Sequence, residues 1–528
     1  MSRILSKSKN DESIIKVPGG GSIRITFNDI NKTCIVSANT YEGLSLTNLT
    51  LEKSYPNSSG TMYDLTIIDF AGFLGCKNLL TVTIPTDSKL ETINRRAFLG
   101  CHNLTSINLP PSFKDLGGNL VFYACYNLTS IDIPSNVARL EASVFTLCTK
   151  LTTVNIQPDS KLETISTGAF SMCYNLTSIY IPSKVTTIDS TAFSFCYNLT
   201  NIKIDAANKY FTVDSKTNTI YNRDKTRLII SLQQTGTITI PASVKKIDSC
   251  AFISCTRITK IVAPGNKSFT VSNNTLYGDN QTRLIVSAQT NELSIPSTVI
   301  NIDEGAFNSC RNIKSININS NSNFYFEPIQ SILYTSNKQT IIYCPSEITG
   351  SVTVSVLVYS CAFMNCIKLQ NMTINYNNRG TSTSNRGLEN YFSFRDSLQI
   401  FPSTLTTLRY DVVSKDREIE LLGIFVPFKQ LQQMYPKLKE NQINIYINGT
   451  GRDLDIPYFI SKLYLNGSYF YGSRSRSNDL LFSGINYKVI YSQNQLIQNG
   501  LTGAGIGIAL ASVIYLINKN KPKAKIII

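Results

Sequence analysis

An Ala-Phe pair or a close variant, then a cysteine, then a Leu-x-x-Ile-x-Ile run, recurs nine times in this chain. The clearest copies are AFLGCHNLTSINLP from Ala97, AFSMCYNLTSIYIP from Ala169 and AFSFCYNLTNIKI from Ala192. The cysteines are Cys76, Cys101, Cys125, Cys148, Cys173, Cys196, Cys255, Cys310 and Cys366, and the first six stand 23 to 25 residues apart. A unit so short cannot enclose a core of its own, so each must stack its apolar side on the copies before and after it. The 528 residues therefore form a solenoid with one continuous core. Such a fold presents surface for binding far more readily than it builds a catalytic pocket.

A period of 20 to 29 residues with Leu-x-x-Leu-x-Leu spacing marks a leucine-rich repeat. In NLTSIDIP, Leu128, Ile131 and Ile133 point inward while Ser130 and Asp132 alternate outward, the period of a half-buried strand. Pro134 cannot donate to a ladder and ends the strand. A second apolar stretch, Val185 to Ile188, leads into Ala192-Phe193, which fills the convex side beside Cys196. The expected architecture is a right-handed superhelix with parallel strands on its concave face.

Three gaps between cysteines are longer, from Cys196 to Cys255, to Cys310 and to Cys366. Each holds a related insert, starting at Lys209, Lys267 and Asn323, that reads as two β-runs around a polar turn such as Asn222-Arg223-Asp224 or Gly278-Asp279-Asn280. These are expected to be hairpin-bearing repeats that widen the solenoid.

The AFxxCxxLTxIxIPxxVxxI pattern, with the insert YFTVDxxxxxxYNRDKTRLI, resembles the BspA-like leucine-rich-repeat surface proteins of bacteria and parasitic protists such as trichomonads. The resemblance spans roughly Met62 to Ile374. It implies a cell-surface or secreted role in adhesion to host cells, matrix or other microbes, and it brings no catalytic residues.

Around the repeats, residues 1–60 are expected to form an N-terminal cap with a joint at Gly19-Gly20-Gly21 and strands at SIRITF, and the solenoid to cover 61–376. After the polar stretch Asn377 to Arg386, residues 377–498 mix a helical-looking piece, Pro427 to Leu438, with strand-like INIYI and FSGINYKVIY. They are expected to be a C-terminal cap or membrane-proximal module.

Gly500 to Ile517 is an apolar run without a charge, followed by Lys519, Lys521, Lys523 and Lys525. At about 1.5 Å per residue it would span roughly 27 Å, near the hydrocarbon thickness. This predicts a transmembrane helix at 499–518 and a basic tail at 519–528, placed in the cytoplasm by the positive-inside bias, with the repeats outside. Gly503 and Gly507 form a G-x-x-x-G pair through which two copies could dimerise, although scattered small residues explain it as well. The first 22 residues lack the apolar stretch of a secretory leader. Entry by the C-terminal helix alone would leave the repeats in the cytosol. A plasma-membrane surface protein and an intracellular tail-anchored scaffold with cytosolic partners are therefore both open.

Thirteen cysteines, nine at one repeated position, are expected to be a column of buried free thiols beside Phe98, Phe170 and Phe193. Identical parallel side chains do not point at each other as a bridge needs. Cys250 with Cys255, and Cys361 with Cys366, are the pairs where an exception could arise. There is no CxxC, and the single histidine, His102, occupies the variable position after a cysteine, where a surface residue is expected. No metal site, cofactor or catalytic triad is indicated. The net charge of +15 does not point to nucleic acid, because Lys and Arg are scattered singly without a basic stripe interleaved with aromatics.

Sequons abound at Asn48, Asn103, Asn127, Asn175, Asn198, Asn266 and Asn448. Those at Asn103, Asn127, Asn175 and Asn198 belong to the repeated NLT, where Asn is expected to bond backbone at the strand entry. They become glycan acceptors only if the domain is luminal. The outward strand positions are mostly small hydroxyls and amides. Asp132, Asn155, Tyr180 and Lys203 offer varied chemistry in adjacent rows and form the candidate ligand site, for proteins or glycans on other cells or matrix.

Overall fold

In the computed structural model the described residues run from 12 to 377, apart from 18–20, 39–45, 77, 312, 314, 319, 328–331, 355–356, 360 and 367. They continue as strands at 407–414, 418–420, 443–449, 453–455, 462–466 and 488–489. The chain divides into two compact units, residues 1–280 and 281–528.

The first unit opens on an antiparallel meander of Glu12–Lys16, Ser22–Asn28 and Thr33–Ala38. The alternation in SIRITF buries Ile23, Ile25 and Phe27. Thr33–Ala38 then pairs in parallel with Met62–Ile68, and repeat stacking takes over.

One repeat shows why the sequence stacks. Ser130–Ile133 lies parallel to Thr153–Ile156, with Ile131 opposite Val154 and Ile133 opposite Ile156. Ile131 and Ile133 are buried while Ser130 and Asp132 are exposed, and the strand stops before Pro134. A second parallel ladder runs through Arg139–Leu140, Thr164–Ile165 and Thr187–Ile188. The third side is the cysteine-bearing turn. There Phe73, Phe98, Phe122, Phe145, Phe170 and Phe193 stack ring on ring, with centroids 5.2 to 5.6 Å apart. That spacing sits just above the roughly 4.8 Å strand separation that sets the rise per repeat.

The turns lock reciprocally. Phe98 N donates to Val121 O at 3.0 Å, and Phe122 and Phe145 donate forward in the same way to Val144 and Ala169. The thiols donate back: Cys125 to Phe98 O, Cys148 to Phe122 O, Cys173 to Phe145 O and Cys196 to Phe170 O, at 3.0 to 3.3 Å. A small, weakly donating thiol thus satisfies a buried carbonyl lone pair where a larger polar group would not fit. All thirteen cysteines are free, including both pairs singled out as exceptions. The residue before each of the first six repeat cysteines, Cys76 to Cys196, adopts positive φ: glycine at Gly75 and Gly100, but Ala124, Leu147, Met172 and Phe195 later. Side chains there cost about 1 kcal/mol each, held by the ladder on both sides.

The first insert holds three strands where two were expected. Phe211–Asp214, Thr219–Asn222 and Arg227–Ser231 form an antiparallel meander. Its last strand also pairs in parallel with Lys246–Ile247, as Thr164–Ile165 does with Thr187–Ile188, in a sheet separate from that ladder. The meander stands where a cysteine turn would be, and the flanking turns close up across it. Ser190 Oγ donates to Ser249 O at 2.6 Å, and Phe195 N to Ser254 Oγ at 2.8 Å. Asn208 buckles the entry by donating to Pro182 O and Val185 O while accepting from the amides of Tyr210 and Phe211. Asn266 makes the same bonds in the second insert.

In the second unit Asn321 donates likewise to Pro296 O and Val299 O, ahead of a meander of Phe324–Glu327, Ile332–Thr335 and Thr340–Tyr343. Gly350–Val354, Leu369–Asn377, Thr407–Ser414, Ile443–Gly449, Lys462–Asn466 and Lys488–Val489 make one parallel sheet. Parallel pairing therefore runs on past Tyr376, where the cysteine repeat ends, and takes in INIYI. Pro427–Leu438, Asn448's side chain and Gly500–Ile517 lie outside what the structure describes. No helix among the described residues is long and apolar enough to cross a membrane.

Candidate binding face

The four candidate residues stand on outward positions of four strands in the first unit. Asp132 on Ser130–Ile133 is in register with Asn155 on Thr153–Ile156, and Tyr180 on Ser178–Ile181 is in register with Lys203 on Asn201–Ile204. The strands carrying Asn155 and Tyr180 lie side by side without a regular ladder between them. Asp132, Asn155 and Lys203 are exposed and Tyr180 is half-buried.

Each register pair is bonded within itself. Asn155 Nδ2 donates to Asp132 Oδ1 at 2.6 Å. The Lys203 ammonium sits 5.9 Å from the Tyr180 ring centroid, within cation–π range. The Tyr180 hydroxyl donates to the carboxylate of Asp205, a residue the sequence reading did not include. Desolvation, and then the Asp205 hydrogen bond and charge, push the Tyr180 hydroxyl up to about 12. The same bond, with a second from Ala207 N, lowers Asp205. The phenol is thus a fixed neutral donor over the physiological range. The cluster offers one ring face, one exposed cation and an amide–carboxylate pair, which suits recognition by hydrogen bonding and stacking. Asp205 did have a signal: its repeat ends IKID where others end IDIP or IYIP.

Other expectations change. His102 is only 6% exposed, its ring 5.1 Å from that of the fully buried Tyr126. The position after the cysteine thus forms two separate ring pairs, His102 with Tyr126 and Tyr174 with Tyr197 at 5.9 Å, divided by Thr149. In the NLT motif it is Thr that bonds backbone: Thr105 Oγ1 donates to Leu80 O, Thr129 Oγ1 to Thr105 O and Thr152 Oγ1 to Thr129 O. Asn127 instead donates to the side chain of Asn103 at 3.0 Å. Asn103, Asn175 and Asn198 are exposed and Asn127 half-buried. No cluster of three or more His, Cys, Asp or Glu able to hold a metal occurs among the described residues. The strand face that carries the candidate residues is interrupted at the first insert, since Ser178–Ile181 with Asn201–Ile204 and Thr235–Thr239 with Arg257–Val262 are separate sheets.

A search of curated proteins returned no match. Among solved structures the chain is similar to a leucine rich cell surface protein of Faecalibacterium prausnitzii, at 18% identity and TM-score 0.39, covering 89% of this chain and 98% of that one. It is similar also to the pneumococcal vaccine antigen PcpA, at 14% identity and TM-score 0.36, covering 99% of both chains. A leucine-rich repeat protein of Bacteroides ovatus is 16% identical at TM-score 0.32, over 80% of this chain and 98% of that one. The sequence profile of the BspA type leucine rich repeat region matches residues 35–159, 66–200, 231–349 and 285–420, with six copies of the repeat. With well over half its length matched, and its repeats stacked as that profile requires, the chain belongs to the BspA type leucine-rich-repeat family.

Proposed function

We propose that this protein is a surface-displayed, non-catalytic binding scaffold. Its solenoid holds strand faces toward protein or glycan ligands of other cells or matrix, and Gly500–Ile517 anchors it in the plasma membrane with the basic tail inside. The observation that carries this reading is the division of labour within each repeat. Inward residues and the cysteine turns make the inter-repeat bonds, so outward residues such as Ser130, Asp132, Thr153 and Asn155 are exposed on a rigid backbone. A face ordered in advance loses little conformational freedom on binding. Two copies could meet through Gly503 and Gly507.

A second reading, an intracellular scaffold on an internal membrane, draws support from the thiols. All thirteen cysteines are free, the state a reducing compartment maintains. Tags before Ser2 and after Ile528, stained on intact and permeabilised cells, separate the two. N-terminal tag alone on intact cells supports surface display. Neither tag before permeabilisation refutes it and supports the intracellular scaffold.

A further inference from the structure

Five of the 50 cations that look scattered along the sequence come together at the first insert. Lys209 and Tyr210 enter the meander, and Arg223 N donates to Tyr210 O at 2.8 Å, which places Arg223 beside them. Lys225 sits at positive φ in the turn that follows. Ser243 Oγ donates to Lys225 O, and the amides of Lys245 and Lys246 both donate to Thr226 O. Lys209, Arg223, Lys225, Lys245 and Lys246 are all exposed, and Tyr210 among them is 50% exposed. Of the nearby carboxylates Asp248 is neutralised by an arginine, while Asp224 keeps its charge against five cations. Asp224 accepts from Thr226 N and Oγ1, and Asp248 is paired bidentately with Arg227 at 2.6 and 2.8 Å.

The fold does not require this charge. At the matching positions the second insert keeps Lys267 for Lys209 but has Ser268 for Tyr210, Asp279 for Arg223, Gln281 for Lys225, and Ile300 and Asn301 for Lys245 and Lys246. The third keeps only Lys338, at the left-handed position of Lys225. Three copies of one scaffold thus differ in whether they carry the patch, which points to a ligand and away from stability.

We propose that Lys209, Tyr210, Arg223, Lys225, Lys245 and Lys246 form a binding site for sulfated glycan chains. Four of the five cations are lysines, point charges on flexible stems that can pair with anionic groups repeated along a chain in variable geometry. One exposed ring can lie on a sugar face, but single-stranded nucleic acid uses several aromatics for successive bases. A membrane-docking patch would add exposed aliphatic side chains, and Tyr210 is the only large exposed apolar residue between positions 81 and 299. The site deepens the surface-display reading by naming a ligand class, and the binding itself is measured on purified protein, so it stands or falls separately from topology.

The test is binding of purified full-length protein to immobilised heparin, with de-sulfated heparin, single-stranded oligonucleotide and phosphatidylserine vesicles as alternatives. The variant Arg223→Gln/Lys225→Gln/Lys245→Gln is compared with Lys16→Gln/Lys150→Gln/Lys184→Gln, which removes equal charge from exposed sites elsewhere in the same unit. The site predicts at least a tenfold loss in the first variant, less than twofold in the second, and binding that needs sulfate and weakens steeply with salt. Equal losses in both variants, undiminished binding to de-sulfated heparin, or tighter binding to oligonucleotide or vesicles would overturn it. Unchanged thermal unfolding midpoints establish that both variants are folded, and Lys225→Gln introduces only what the second insert already carries.

Discussion

Replacing Phe145 by alanine tests whether the phenylalanine column is what holds consecutive repeats together. Phe145 is fully buried, its ring stacked on Phe122 at 5.5 Å and on Phe170 at 5.4 Å. Burial of a phenylalanine and the cavity left on truncation are worth about 3 to 5 kcal/mol. The site cannot collapse, because Phe122 N to Val144 O and Phe145 N to Ala169 O, both 2.9 Å, hold the turns at fixed separation. Two ring contacts are also lost, each worth up to about 1.5 kcal/mol beyond area. The expected cost is therefore near the upper end, about 4 to 5 kcal/mol. A solenoid's stability is a sum over neighbouring interfaces, so the loss falls on the two interfaces that Phe145 shares. Hydrogen exchange under native conditions should show the amides of Phe122 and Phe145 deprotected, with those of Phe73 and Phe98 far less changed. A cost below about 1 kcal/mol in urea unfolding, or deprotection spread evenly along the first unit, would refute the column as the joint between repeats.

Thiol titration gives a second expectation: one fast-reacting group in native protein, Cys250, and thirteen after denaturation. Burial pushes Cys76, Cys196, Cys255 and Cys310 up to about 12, so at pH 8 only about one in ten thousand of each is the reactive thiolate. Fewer than thirteen after denaturation would reveal disulfides. In the second unit, Arg283 and Asp303 form a bidentate pair at 2.6 and 2.7 Å, with side chains 16% and 9% exposed. Arg283→Ala should cost about 3 to 5 kcal/mol by stranding the carboxylate. Arg283→Thr/Asp303→Tyr, which installs the residues of the third insert, should cost less than half as much in the same unfolding assay. If the protein is made through a secretory route, mass spectrometry should find glycan at Asn103, Asn175 or Asn198 and none at Asn266. The Asn266 amide nitrogen already donates at 2.7 and 2.9 Å to Pro241 O and Val244 O.

What the sequence revealed and what it hid divide along one physical line. Properties that repeat with the period were legible, because each copy is an independent statement of the same local geometry. Ile131 and Ile133 inward, Pro134 as a stop and the cysteines beside the phenylalanines all follow from that. Properties that depend on how turns fold back were not. His102 looked variable and exposed, but its ring is buried against that of Tyr126. The asparagine of NLT looked like the backbone partner, and the threonine takes that role. The inserts read as two strands around Asn222-Arg223-Asp224, but the run before that turn is itself split by a second polar turn at 215–218 into Phe211–Asp214 and Thr219–Asn222. Lys209 and Lys246 are far apart along the chain, and only the meander's return brings their backbones onto one face. In the candidate site the register pairs were foreseeable from spacing, whereas the bond from Tyr180 to Asp205 left only the trace of an aspartate where other repeats have proline after the strand.

Saturation binding of the purified, labelled protein to intact epithelial cells tests the central claim that this solenoid is a binding scaffold. The expectation is a saturable isotherm competed by unlabelled protein, and weakened by Tyr180→Ala/Lys203→Ala if the candidate cluster contributes. A linear isotherm that unlabelled protein cannot compete would contradict the claim, and would fit a structural coat instead.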